Sequence, residues 1–313
     1  MTRRAPSVAV LVAPALLATV LSCADPAPLA LDLDAWEEWR SSRIAELTAE
    51  DGWLALVGLY WLPRDREVTF GAAGENDLVL PPRPSLEGRP GTLGTLAWNG
   101  DAIELRAAPG SGLEVDGSPA GDQPVPLRSD TAEPPSRLTV GALDLGILER
   151  AGELALRVGD RNSERRALLD HVPTFPPSAD YRLGARFEPA TPGRTLRIAN
   201  VVGQSYDQAS PGSVVFSLAG VEHRLEALAT SQEDRYFLLV GDATNGVETY
   251  GGGRYLYVER RPDGGIDLDL NRLYNPPCVF TEFATCPLPP RANRLPVRIE
   301  AGEKTWHGDL DHG

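Results

Sequence analysis

The sequence predicts a mainly β protein, with antiparallel sandwich- or barrel-like sheets and one amphipathic helix at the N-terminal end. Three observations predict it. Short apolar or alternating runs recur from Val68 almost to the C-terminus, and Gly, Pro, Asn or Asp separates them. The gaps between runs are too short for the helical crossovers that parallel strands require. Only one stretch, Asp32 to Glu50, carries a clear helical period.

That helix places Leu33, Trp36, Trp39, Ile44 and Leu47 near one stripe, with Glu37 and Glu38 close to its start and Asp51-Gly52 ending it. The apolar run Trp53 to Leu62 reads as a buried strand or strand pair. Its Trp53, Tyr60 and Trp61 are core-packing residues, or an aromatic shelf if exposed. Strand signals follow at 68–70, 78–80, 93–98, 102–107, 113–115, 125–127, 137–140, 143–149 and 153–158. Trp98-Asn99-Gly100-Asp101, Asp116-Gly117 and Val140-Gly141 mark hairpins or corners. Residues 159–170 are polar enough for a surface loop or a single helical turn.

A proline-rich joint at Pro173 to Pro177 divides the chain into an expected helix-plus-β domain over 32–170 and a second β domain over 171–313, which can pack as one unit. In the second, strands are expected at 181–187, 194–202, 213–219, 221–229, 235–241, 254–260 and 266–270.

Ahead of the folded part, residues 1–22 read as an export signal. Arg3 and Arg4 precede an uncharged, mainly apolar run from Ser7 to Leu21 that is short for a membrane span, and the run stops at Val20-Leu21-Ser22-Cys23. A small residue before cysteine is what lipoprotein processing needs. Cys23 is therefore the expected lipidation site, with residues 23–31 as a tether. The expected location is the cell envelope, held to the bilayer by the Cys23 acyl anchor. Ala24, where no aspartate follows the cysteine, favours the outer membrane of a Gram-negative cell. An ordinary secretory signal, giving a secreted or periplasmic protein, is the plainer alternative.

Composition limits the partners. The chain carries 30 basic and 44 acidic residues; loss of Arg3 and Arg4 with the signal leaves 28 against 44, a charge of −16. Such a surface repels nucleic acid and anionic lipid alike. Of three cysteines, Cys278 and Cys286 remain after Cys23 is assigned to lipid. Outside the reducing cytoplasm this pair reads as a disulfide across a tight loop. Shared metal ligation lacks histidine or CxxC partners, and redox catalysis lacks the CxxC spacing.

Chemistry concentrates between residues 242 and 304. Asp242 to Gly246 is a turn; Thr249 and Tyr250 precede Gly251-Gly252-Gly253 and Arg254. The glycines suit an anion nest, a bulge or a close crossing of strands, but the pattern is no P-loop. Asp267, Asp269 and Asn271 alternate, so an oxygen-rich strand face able to hold a divalent cation is one reading and a charged, solvated edge the other. Prolines flank both cysteines and stiffen the loop between them.

The runs "TYGGGRYLY" and "DLNRLYNPPCVFTEFATCPLPPRANRLPVRIEAGEK", with the early "DGWLALVGLYWL" and "ENDLVLPP", resemble the DUF1684 family of uncharacterised bacterial proteins over about residues 34–305. The resemblance implies an export or lipoprotein signal but no catalytic role. It rests on Thr249, Tyr250, Gly251, Gly253, Arg254, Asn271, Tyr274 to Cys278, Cys286, Pro287, Pro290, Asn293, Arg294 and Glu303. Leu270 stands where the family pattern has Phe, and Pro173-Thr174-Phe175-Pro176 where Trp-Phe-Pro is usual.

Two functions follow as expectations. The first is a tethered envelope protein that binds a small molecule or envelope component, with Thr249, Arg254, Asn271, Arg294 and Glu303 as ligand contacts and no resident cofactor. The second is a hydrolase built from Asp242, Tyr250, Asp269 and Tyr274, with Arg254 clamping an anion. Four histidines, two of them in the last seven residues, leave little material for a His-based triad or zinc centre.

Overall fold

The computed structural model describes residues 29–308 except Asp101, so the export segment and Cys23 lie outside the described residues. One helix, α1 (Leu33–Thr48), opens the fold, and Asp32 caps it by accepting from the Ala35 N–H at 3.0 Å. Its packing face differs from the predicted stripe. Trp36 and Leu47 are buried as expected, but Leu33 is exposed and Arg43 is buried instead.

Eleven strands then form two stacked sheets: β1 (Leu56–Trp61), β2 (Arg66–Gly71), β3 (Leu78–Val79), β4 (Gly94–Trp98), β5 (Ile103–Ala107), β6 (Glu114–Val115), β7 (Ser118–Pro119), β8 (Val125–Leu127), β9 (Leu138–Val140), β10 (Leu143–Arg150) and β11 (Glu153–Asp160). One sheet runs β1-β11-β10-β9-β6-β7 and the other β3-β2-β4-β5-β8. All pairs are antiparallel except β2 with β3. Phe70, Leu96, Leu105, Leu138, Leu156 and Val158 meet between the sheets and make the core of a β-sandwich. At the β6–β7 hairpin both turn residues, Asp116 (φ 53°) and Gly117 (φ 78°), take the left-handed backbone that suits the strand twist.

Residues 161–181 cross to the second body, with a short 3₁₀ turn at Glu164–Leu168 in the polar stretch. Eight strands follow: β12 (Arg182–Pro189), β13 (Thr195–Ala199), β14 (Ser205–Ala209), β15 (Gly212–Leu218), β16 (Val221–Ala229), β17 (Arg235–Val240), β18 (Arg254–Glu259) and β19 (Gly265–Asp269). Six of them run β18-β17-β16-β15-β12-β19, while β13 and β14 form a separate hairpin. A bridge between Arg260 and Ile266 joins the two end strands, so the sheet closes on itself as a near-barrel. Val214, Leu225, Leu238, Ile266 and Leu268 fill it.

The C-terminal segment seals the assembly. Glu303 bridges Thr174 of the proline joint, and the Lys304 N–H donates to the Pro173 carbonyl at 2.7 Å. The Lys304 ammonium lies 4.4 Å from the Phe175 ring centre. Leu47, Leu54, Leu169, Val172, Phe280 and Trp306 form a small core that holds α1 against both bodies.

Candidate functional site

The predicted chemistry-bearing residues separate into two groups. Asp242, Thr249 and Arg254 meet in a dry network at one end of the barrel. Along β18, Arg254, Leu256 and Val258 point inward while Tyr255 and Tyr257 point outward. Nη2 of Arg254 lies 2.8 Å from Oδ2 of Asp242, and both side chains are fully buried. The same guanidinium donates to the carbonyls of Ile299, at 2.9 Å, and Ala301. Asp242 Oδ1 accepts from the Thr244 N–H and hydroxyl and from the Ile299 N–H. Thr249 joins through Thr244 and Asn245, each at 2.8 Å. Burial pushes the Arg254 pKa down, and the Asp242 charge opposes that shift.

Glu303 is likewise inside. Its Oε2 accepts from the Asn275 N–H at 2.7 Å, and its Oε1 lies 3.4 Å from Nε of Arg43 on α1. Burial raises the Glu303 pKa above the ordinary carboxylate range, against the opposing effect of Arg43. Asn271 is buried and trades hydrogen bonds with both backbone groups of Ser178. The expected oxygen-rich face does not form. The strand ends at Asp269 and Asn271 enters a 3₁₀ turn, while Asp267 pairs with Arg261 and Asp269 with Arg272. Among the described residues no group of three or more His, Cys, Asp or Glu is placed to hold a metal ion. Tyr250 is half-buried at the barrel end and Arg294 is exposed; neither lines the cleft described next.

Of the three glycines, Gly253 acts by fit. Gly253 has φ 86°, and a Cβ there would come 2.5 Å from Pro289 and 2.7 Å from the Val240 carbonyl. Of the readings open in the sequence, this is the close crossing.

A cleft of about 1230 Å³ opens between the sandwich, α1 and the outer face of the barrel. Asp267, Asp269, Tyr274 and Cys286 line it; Asp242, Thr249, Tyr250, Arg254, Asn271, Arg294 and Glu303 do not. Its barrel wall is an aromatic panel set by strand alternation. In β17, Arg235, Phe237 and Leu239 face outward, and the antiparallel register sets Phe237 opposite Tyr257 and Leu239 opposite Tyr255. Phe237 and Tyr257 stack with ring centres 4.7 Å apart; Phe237 meets Tyr255 edge-on at 4.9 Å. A backbone bridge to Tyr255 brings in Tyr274, which packs edge-on against Tyr255 at 5.8 Å. Burial raises the pKa of Tyr255, Tyr257 and Tyr274, so all three stay neutral phenols. The Tyr255 hydroxyl donates to the Pro287 carbonyl at 2.7 Å.

The sandwich wall supplies Trp53, Thr131, Arg150 and Arg157. In β11, Leu154, Leu156 and Val158 enter the sandwich core, so Arg157 must leave by the other face, toward the barrel. Arg150 crosses between the bodies: it pairs with Asp130 at 2.9 Å and reaches Thr285 Oγ1 at 3.2 Å. The floor includes Ala284, Thr285, Cys286 and Pro287 of the braced loop, which the Cys278–Cys286 disulfide closes. Trp39, Arg43 and Glu46 of α1 complete the rim.

Trp53 meets the aromatic-shelf alternative open in the sequence, while Arg157, Arg235, Phe237 and Tyr257 were not singled out as cleft residues. The alternation of Arg235-Phe237 and Tyr255-Tyr257 was a usable signal for one wall. Nothing in the β11 sequence signals that a second body covers its outer face.

Residues 168–304 match the family model described as "Protein of unknown function (DUF1684)". The match covers the joint and barrel, a shorter span than the expected 34–305. The solution NMR structure of an uncharacterized protein of Haloarcula marismortui is similar to 47% of this chain and 81% of its own length, at 29% identity and a TM-score of 0.37. No curated protein matches. Over residues 168–304, which supply the aromatic panel and the disulfide floor of the cleft, the chain is similar to the DUF1684 family of proteins of unknown function.

Proposed function

We propose that this is a binding protein of the cell envelope, whose cleft between sandwich and barrel takes a small ring-bearing molecule. The aromatic panel of Phe237, Tyr255, Tyr257 and Tyr274 carries the proposal. A run of stacked rings on the outside of a barrel leaves apolar faces to be covered, and a concave site with a few fixed polar groups is what small-molecule recognition uses. The cross-links from Arg43 and Arg150 and the braced loop hold the walls in place, which lowers the ordering cost of binding.

A hydrolase reading has less support. Asp242 and Arg254 neutralise each other away from the cleft, and Asp269 is engaged by Asn271 and Arg272. The envelope assignment rests on the sequence alone: Arg3-Arg4, the apolar run and Cys23. Mass spectrometry of the mature N-terminal peptide tests it; an acylated Cys23 is expected, and an unmodified peptide beginning elsewhere removes the anchor.

Binding is tested by ligand-observed NMR against a panel of neutral and charged bicyclic aromatics. Saturation transfer is expected for ring compounds with the wild-type protein and is expected to fall at least fivefold with Tyr257→Ala. Absence of transfer across the panel, or transfer indifferent to Tyr257, overturns the assignment of the cleft.

A further inference from the structure

The ring-binding role leaves open what else the ligand carries, and the arginines of the cleft narrow it; this step rests on that role. Six arginines line the cleft. Four are committed: Arg43 to Glu303 and the Asn275 carbonyl, Arg150 to Asp130, Arg261 to Asp263 and Asp267, and Arg272 to Asp269. Arg157 and Arg235 are not. Among the described residues neither guanidinium has a carboxylate within 4.0 Å or a hydrogen-bond acceptor; each instead rests on a ring. Arg157 lies 5.6 Å from the centre of Trp53, and Arg235 lies 4.5 Å from that of Tyr257.

Neither position lacks nearby acids. Arg235 sits opposite Glu259 across the β17–β18 ladder, yet forms no ion pair with it. Asp130, the carboxylate that most influences Arg157, already accepts from the Glu149 N–H and pairs with Arg150. Arg157 is half-buried, and burial is the main cause lowering its pKa. A guanidinium held against rings, with its five donors free and its charge partly desolvated, is prepared for a planar oxyanion. In a chain of net charge −14, such a local positive site is what an anion needs to approach at all.

We infer that the cleft takes a carboxylate or phosphate borne on a flat ring, with Arg157 and Arg235 reading the oxyanion and Trp53 and Tyr257 contacting the ring. Charge-assisted, forked hydrogen bonds supply selectivity for the anion, while the aromatic faces accept any ring of suitable width.

Isothermal titration calorimetry of the purified protein with 2-naphthoate, 2-naphthyl phosphate and neutral 2-naphthamide tests the inference. At least one of the two anions is expected to bind about tenfold or more tightly than the amide; which one does so separates carboxylate from phosphate. R157Q and R235Q are each expected to remove most of that preference, and R137Q, which alters an arginine paired with Asp144 outside the cleft, to leave it intact. R235Q, on the opposite wall, carries the test alone if R157Q fails to fold. Equal binding of the anions and the amide overturns the anion inference while leaving the ring-binding cleft standing. So does a preference that R137Q abolishes as fully as R157Q or R235Q. No binding of any of the three overturns both.

Discussion

Arg254 and Asp242 form an ion pair of 2.8 Å with no solvent exposure on either side chain. The pair joins the turn at Asp242 to the C-terminal segment, because Arg254 also donates to the carbonyls of Ile299 and Ala301. Its work is to close the barrel end.

Removing one partner leaves a charge buried without compensation. Asp242→Asn is expected to destabilise the protein by about 3–5 kcal/mol. Replacing both residues together, Asp242→Asn with Arg254→Met, is expected to recover part of that loss. Urea unfolding followed by tryptophan fluorescence measures both. A single mutant within about 0.5 kcal/mol of wild type contradicts the buried-pair description.

The Cys278–Cys286 bond closes a loop with a sequence separation of 8 residues. Restriction of the unfolded chain by so short a loop is worth about 2–3 kcal/mol. Cys278→Ser with Cys286→Ser is expected to lower stability by that amount and to loosen the cleft floor at Ala284 to Pro287. Hydrogen exchange at those amides reads the second effect, and unchanged exchange rules it out.

Arg43 fixes α1 to the cleft. Its guanidinium donates to the Asn275 carbonyl at 2.9 Å, lies 3.4 Å from Glu303 and sits 4.6 Å from the centre of the Tyr274 ring. Arg43→Ala is expected to raise hydrogen exchange across Leu33–Thr48 at least tenfold while β10 and β11 keep their protection. Equal loosening of α1 and the sandwich indicates global destabilisation instead.

Much of this architecture was legible in the sequence. Alternation located most strands of both bodies, since each has one face in a core; β7, β14 and the 3₁₀ turn at Trp53–Ala55 were not expected. The left-handed turn at Asp116-Gly117 follows from the turn chemistry. The helix stripe was misjudged at Leu33 and Arg43, because long-range partners on residues 274–303 bury an arginine that local pattern reads as polar surface. The same blindness affects the site. Asp242, Arg254, Asn271 and Glu303 look like site residues because polar residues packed closely in sequence resemble chemistry, yet their partners are buried backbone, one another and the side chains of Thr244, Asp269 and Arg43. Arg157 reads as an exposed strand residue until the barrel covers β11. Only tertiary packing makes its face a wall.

A pH dependence follows from Glu303. Burial raises its folded pKa above the unfolded value near 4.3. A carboxyl whose folded pKa is raised favours the folded state most below the unfolded pKa; that contribution is lost as pH rises through the folded value. Carboxyl ¹³C shifts of labelled protein are expected to show Glu303 titrating above the exposed glutamates. Wild type is expected to lose stability relative to Glu303→Gln as pH rises from about 4 through that midpoint. A midpoint at or below the exposed glutamates, or parallel stability profiles, removes this dependence.

The most direct measurement is the structure of crystals soaked with 2-naphthoate. The account predicts density in the cleft, the ring against Trp53 or Tyr257 and the carboxylate within hydrogen-bond distance of Arg157 or Arg235. An empty cleft at saturating ligand, or naphthoate bound only outside it, would contradict the assignment of this cleft as the functional site.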